Sequence, residues 1–250
     1  MLRIFESEEA VAEAIASEMK ASLEHDEHPV FCLASGSTPQ KSYRKFADQL
    51  TAESRLAKLG IVSLDEWVGI DRSSEGSCYR MLYDDLFSIA GISDEQIEFF
   101  DGTASDLQRE CARIDRYIEQ RPITFSLMGV GMNGHIGLNE PGCPVLDRSS
   151  VVALSETTKQ VAQKYFRERT ALEEGITLGL NQVIASKRVV VAITGERKAD
   201  IVKEIFSNRE SKLPAQYLLG YGHIDFFLDA AAARHLDRSL AEELTSWEKA

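Results

Sequence analysis

Four short segments carry residue types that can do chemistry, and each sits where an apolar run ends. The richest is Gly129-Val130-Gly131-Met132-Asn133-Gly134-His135-Ile136-Gly137-Leu138-Asn139-Glu140-Pro141-Gly142. It sets one histidine among glycines, with a carboxylate five residues on to orient the ring. Imidazole titrates near neutrality, so His135 in this setting suits general acid–base work. His25, His28, His223 and His235 lack such surroundings and read as surface or structural. Ser63-Leu64-Asp65-Glu66-Trp67 places two adjacent carboxylates at another strand end. Neighbours on an extended chain point opposite ways, so one can enter a cleft while the other caps a helix or pairs. A strand-end carboxylate suits proton abstraction, the more so when burial raises its pKa.

The other two segments suit an anion. In Ser35-Gly36-Ser37-Thr38-Pro39 the glycine lets the backbone approach a ligand closely. Ser37 and Thr38 offer hydroxyls beside the free N–H groups of a helix N-terminus. An ordinary capped turn has the same composition, so this segment alone leaves both readings open. It is neither a Walker A loop nor a GxGxxG turn. In Thr194-Gly195-Glu196-Arg197-Lys198, Lys198 can close over a phosphate, although a solvated helix start is the plainer reading. No metal site is expected, because HExxH and related spacings are missing. Cys32, Cys78, Cys111 and Cys143 are scattered without a CxxC and read as reduced thiols.

These segments need a frame. An amphipathic helix is expected from a Ser7 cap to about His25, and the first strand near residue 29, at Pro29–Ala34. A helix follows to about Thr51, then a strand at Gly60–Leu64 and a helix near Tyr79–Ile89. Further strands are expected at Ile97–Phe100, Ile123–Val130, Arg188–Thr194 and Ile224–Leu228, with helices at Asp106–Glu119 and Lys198–Phe206. Strand–loop–helix alternation implies an α/β fold, a mostly parallel sheet with helices on both faces. Ligands in such folds bind outside the carboxyl ends of the strands. No repeat or linker divides residues 1–250, so one Rossmann-like domain is expected.

Charge narrows the partners. Lys and Arg total 28 against 40 Asp and Glu, a net −12, which argues against a nucleic-acid or anionic-membrane surface. A small anion is still compatible, since a nest of N–H groups and one or two lysines can hold a phosphate. The N-terminal stretch lacks the basic start and apolar run of a signal peptide, so a cytoplasmic protein is expected.

Together, ASGSTP, SLDEWVG, GVGMNGHIGLNEPG and ITGERKA resemble the glucosamine-6-phosphate deaminase/isomerase family, in its order and approximate spacing over nearly the whole chain. LDEW, NGHIGLNEPG and GITLGLNQVI look closest to galactosamine-6-phosphate isomerases. The resemblance implies the fold of that family and of 6-phosphogluconolactonases. It also implies deamination and aldose–ketose isomerisation of a glucosamine or galactosamine 6-phosphate to a ketose 6-phosphate, with no cofactor. Asp65 would move the proton between C2 and C1, and His135 would assist ring opening, supported by Glu140 and Asn133. Ser35, Gly36, Ser37 and Thr38 would hold the phosphate, with Lys198 and Lys164 closing over it. Ser155–Arg167 would correspond to a mobile lid.

Three departures from the family pattern stand out. Asn133 replaces an Asp common in the family, leaving Glu140 as the carboxylate behind His135. Lys164 replaces a frequent Arg, a point charge in place of a planar fork. The C-terminal extension of the allosteric hexameric members is absent, so a monomer or small homo-oligomer is expected. Two alternatives share this fold. A 6-phosphogluconolactonase resembles GxDGHTASLFPG and lacks a carboxylate where Glu140 stands. A non-catalytic sugar-phosphate sensor tends to lose the acid–base residues, and Asp65, His135 and Glu140 are all present here.

Overall fold

Strand residues alternate between two cores, and that alternation builds the architecture. In the computed structural model, which describes residues 1–51, 55–208 and 210–237, Phe31 and Leu33 join one apolar cluster while Val30 and Cys32 join the other. Val190 and Ala192 face away from Val189 and Val191 in the same manner. A strand that is apolar on both faces must be covered on both, which is why these strands read as unbroken apolar runs.

In chain order the first elements are β1 (Leu2–Phe5), α1 (Glu8–His25), β2 (Val30–Leu33), α2 (Gln40–Asp48), β3 (Gly60–Ser63) and β4 (Asp65–Trp67). Then come α3 (Cys78–Leu82), a π turn (Tyr83–Phe87), α4 (Ser88–Ala90), β5 (Ile97–Glu98), α5 (Leu107–Gln120) and β6 (Phe125–Gly129). The remainder is β7 (Ser150–Ala153), α6 (Glu156–Ala162), β8 (Glu174–Thr177), α7 (Leu180–Ile184), β9 (Arg188–Ile193), α8 (Ala199–Ser207) and β10 (Ile224–Asp229). Ile15, Met19, Phe46 and Leu82 of α1, α2 and α3 cover one face. Ile114, Val183 and Ile205 of α5, α7 and α8 cover the other. Helix α1 starts as expected: the Ser7 hydroxyl accepts the Ala10 N–H at 3.2 Å, and Glu8 and Glu9 oppose the helix dipole.

The main sheet is parallel throughout, in the order β1-β10-β9-β6-β2-β3-β5. From β2 the chain moves outward through β3 to β5, then returns to β6 on the other side of β2. The loops leaving β2 and β6 therefore diverge, opening the crevice in which ligands of open α/β sheets bind. A second, antiparallel sheet, β4-β8-β7, lies beside it. The Leu178 N–H donates to the Leu64 carbonyl at 2.8 Å and ties the two together.

Several expectations need correction. The first strand is β1, not the one near residue 29. It is a four-residue edge strand paired only with β10, so it carries no long apolar run. The second sheet is also short-stranded, and β4 follows β3 after a single residue, so the two read as one run. Helix α2 ends at Asp48 rather than Thr51, α8 begins one residue after Lys198, and the strand at Ile97 stops at Glu98. Of the single unit expected over 1–250, residues 238–250 lie outside the described residues. Among the described residues no helix is long and apolar enough to cross a membrane.

Candidate active site

A cleft of about 900 Å³, including its open mouth, lies at the carboxyl ends of β2, β3 and β6. The β2–α2 loop lends it Ser35, Ser37 and Thr38, and the start of β4, just beyond β3, lends Asp65. The loop after β6 contributes Gly131 and His135. Helix α6 and the turn after it roof the cleft with Thr158 and Lys164, and Lys198 enters ahead of α8. Segments spread over more than 160 residues thus meet in one place. Gly36, Asn133 and Glu140 stand behind the wall.

The paired carboxylates separate as extended geometry requires. Glu66 turns away and accepts the backbone N–H groups of Trp67, Cys78 and Tyr79 at 2.8, 3.0 and 3.1 Å, capping α3. Burial nevertheless raises its pKa to about 7. Asp65 lines the cleft and is 9% exposed. Burial raises its pKa to about 6, against the opposing pull of the Cys78 thiol and the His135 charge. A carboxyl that gives up its proton near 6 is a stronger base than one in water and is still ionised at neutrality.

His135 lies flat against Gly131. A Cβ there would stand 2.2–2.4 Å from three ring atoms, so only glycine leaves room for the imidazole. Nδ1 is 3.1 Å from the Thr158 hydroxyl and 3.6 Å from Glu140 Oε2. Glu140 is buried, which alone would raise its pKa. His135, Thr158 and Asn133 beside it outweigh that cost and hold it down to about 2. Asn133 Nδ2 donates to Glu140 Oε2 at 2.8 Å and to Ser155 Oγ at 3.0 Å. The Ser155 N–H donates to the other carboxylate oxygen at 3.2 Å.

The opposite end of the cleft is cationic. Lys198 Nζ donates to the Val130 carbonyl at 2.5 Å. Burial, with Lys164 and Arg197 nearby, lowers its pKa to about 8. Lys164 Nζ sits 3.5 Å from the Ser37 hydroxyl. Gly36 has a φ of +95°, and a Cβ on it would come within 2.7 Å of the Tyr165 hydroxyl. Ser37, Thr38 and the two lysines thus line one end of a cleft whose other end holds Asp65 and His135, with the Ser35 hydroxyl beside Cys78. Among the described residues, no group of three or more His, Cys, Asp or Glu side chains is placed to hold a metal ion.

Every expected site residue lies in this cleft or directly behind it. Thr158, Ser155, Cys78 and Tyr165 are the additions. The spacing Ser155-x-x-Thr158 is a helix-cap signature that could have drawn notice, and in the structure the Ser155 hydroxyl accepts the Thr158 N–H at 3.2 Å. Tyr165 falls within the Ser155–Arg167 segment expected as a lid, whereas nothing around Cys78 marks it as cleft-lining.

The family of glucosamine-6-phosphate isomerases/6-phosphogluconolactonase matches residues 5–225. The chain belongs to that family. Within the glucosamine-6-phosphate isomerase/6-phosphogluconolactonase family, a glucosamine-6-phosphate deaminase from Halalkalibacterium halodurans is 32% identical over 204 residues, covering 80% of this chain and 83% of its own. One from Streptococcus equi subsp. zooepidemicus is 32% identical over 207 residues, 82% of this chain and 86% of its own. The solved structure of a monomeric glucosamine-6-phosphate deaminase superposes with a TM-score of 0.86 at 27% identity, covering 94% of this chain and 99% of that one. The 6-phosphogluconolactonase of Trypanosoma brucei, at 20% identity and a TM-score of 0.77 over 95% and 98% of the two chains, shares the fold.

Proposed function

We propose that the protein converts a 2-amino-2-deoxyhexose 6-phosphate to the ketose 6-phosphate and ammonia. The observation that carries this reading is the cleft's polarity: a buried carboxylate and an imidazole at one end, hydroxyls and two lysines at the other. A sugar phosphate seated with its phosphate on Ser37, Thr38, Lys164 and Lys198 presents its C1–C2 end to Asp65 and His135. His135 passes a proton to O5 as the pyranose opens to the aldehyde. Asp65 then takes the C2 proton, giving the enolamine, and returns it to C1, giving the imine at C2. Water adds to the imine and ammonia leaves, so the atoms balance with no redox partner. Glu140 keeps the imidazole available as a cation, and Asn133 holds Glu140 in place.

The named relatives support glucosamine 6-phosphate as the first substrate, with galactosamine 6-phosphate in parallel. Relatedness to a monomeric enzyme supports a monomer or small homo-oligomer, and amino-sugar breakdown fits a cytoplasmic enzyme. The buried carboxylate of Glu140 behind His135 favours the deaminase over the lactonase. The test incubates purified protein with each amino sugar phosphate and assays ammonia and ketose 6-phosphate together. Stoichiometric release of both supports the reading, and the ratio of kcat/KM values names the preferred sugar. Lactone hydrolysis alone, or binding without turnover, overturns it.

A further inference from the structure

One polar side chain in the cleft has no part in that scheme. Thr158, in the first turn of α6, is 4% exposed, and its hydroxyl lies closer to His135 Nδ1 than the Glu140 carboxylate does, 3.1 against 3.6 Å. The hydroxyl also accepts from the Ser155 hydroxyl at 3.1 Å. A hydroxyl has one proton to give and two lone pairs to fill. Ser155 fills one lone pair, and His135 Nδ1 is the partner within hydrogen-bond distance for what remains.

We infer that Thr158 is a positioning residue for His135: its hydroxyl holds Nδ1 of the imidazole and leaves Nε2 for the substrate. This deepens the functional reading above and rests on it for the part played by His135. The hydroxyl also fills a gap that the carboxylate alone would span poorly, since 3.6 Å is beyond hydrogen-bond distance. The turn that ends α6 carries Lys164 and Tyr165 to the Ser35–Pro39 loop, so one short element joins the seat of the anion to the orientation of the imidazole.

The test compares Thr158→Val, which keeps the shape and removes the hydroxyl, with Thr158→Ser, which keeps the hydroxyl. With the cyclic amino sugar phosphate, T158V is expected to lose about tenfold to a hundredfold in kcat and to shift the pH profile of kcat. Its KM and its affinity for inorganic phosphate stay within about twofold, and T158S recovers most of the loss. In parallel, ¹⁵N NMR of the His135 ring reads the tautomer without any turnover. The ratio of the two tautomers is expected to differ between the wild type and T158V. An unchanged kcat and profile in an active T158V enzyme, or the same tautomer in both proteins, overturns the inference. A wild type that releases no ammonia overturns the functional reading instead, and the NMR comparison then still decides Thr158.

Discussion

Asp65 and Glu66 face opposite sides of β4, so two adjacent carboxylates serve different ends. Glu66 gathers three backbone N–H groups and holds the start of α3, while Asp65 is left in the cleft with the Cys78 thiol beside it. Substitution should separate the two. Asp65→Asn is expected to lower kcat by roughly a thousandfold with phosphate affinity unchanged. Glu66→Gln opposes an amide N–H to one of the backbone donors and should cost about 1–3 kcal/mol of stability. Urea unfolding and steady-state kinetics on both variants check the split.

The pH dependence of kcat/KM should be a bell. Asp65 acts only when ionised, so activity rises as pH climbs through about 6. Lys198 holds an anion only as a cation, so activity falls as pH passes about 8. Lys198→Arg keeps its charge and should carry the alkaline limb beyond the measurable range, whatever it does to the maximum. The affinity of a hexitol 6-phosphate over the same range separates the phosphate's own ionisation, near 6, from that of Asp65. An alkaline limb unmoved in K198R would assign it elsewhere.

Glu140 should make stability depend on acid. Its folded pKa is held near 2 against an ordinary 4.5, so its contribution is fully present above 4.5 and is lost as pH falls toward 2. That contribution is on the order of 3 kcal/mol. Glu140→Gln is therefore expected to be much less stable than the wild type at pH 7, with the gap narrowing below pH 4.5. Urea midpoints across pH 3–7 measure this. A gap that does not change with pH would mean that the hydrogen bonds to Glu140 do not favour its charge.

Gly131→Ala isolates the place of the imidazole. The new methyl would stand on the His135 ring, which must move away. Displacing a catalytic group by an ångström costs on the order of a hundredfold in rate. A kcat loss of that size at unchanged phosphate affinity is expected. Wild-type kcat in G131A would show that the imidazole works from another position.

Much of this site was legible because its parts sit at the ends of apolar runs. Ser37, Asp65, His135 and Lys198 each close a strand–loop junction, and a parallel sheet brings such junctions to one edge. The choice between Asp65 and Glu66 was not legible. Alternation says that the two diverge, but only the place of α3 says which one caps. Cys78 was invisible for a different reason, since it starts a short helix remote from any strong strand. The three-stranded sheet escaped for the same reason that β1 did: three or four residues per strand are too few to show a period.

Ammonia release from glucosamine 6-phosphate by the wild type and Asp65→Asn, in one assay near pH 7, tests the central claim most directly. The account predicts ammonia and ketose 6-phosphate in equal amounts from the wild type, and roughly a thousandfold less from D65N with its phosphate affinity intact. A silent wild type that hydrolyses 6-phosphogluconolactone, or a D65N enzyme as fast as the wild type, would contradict it.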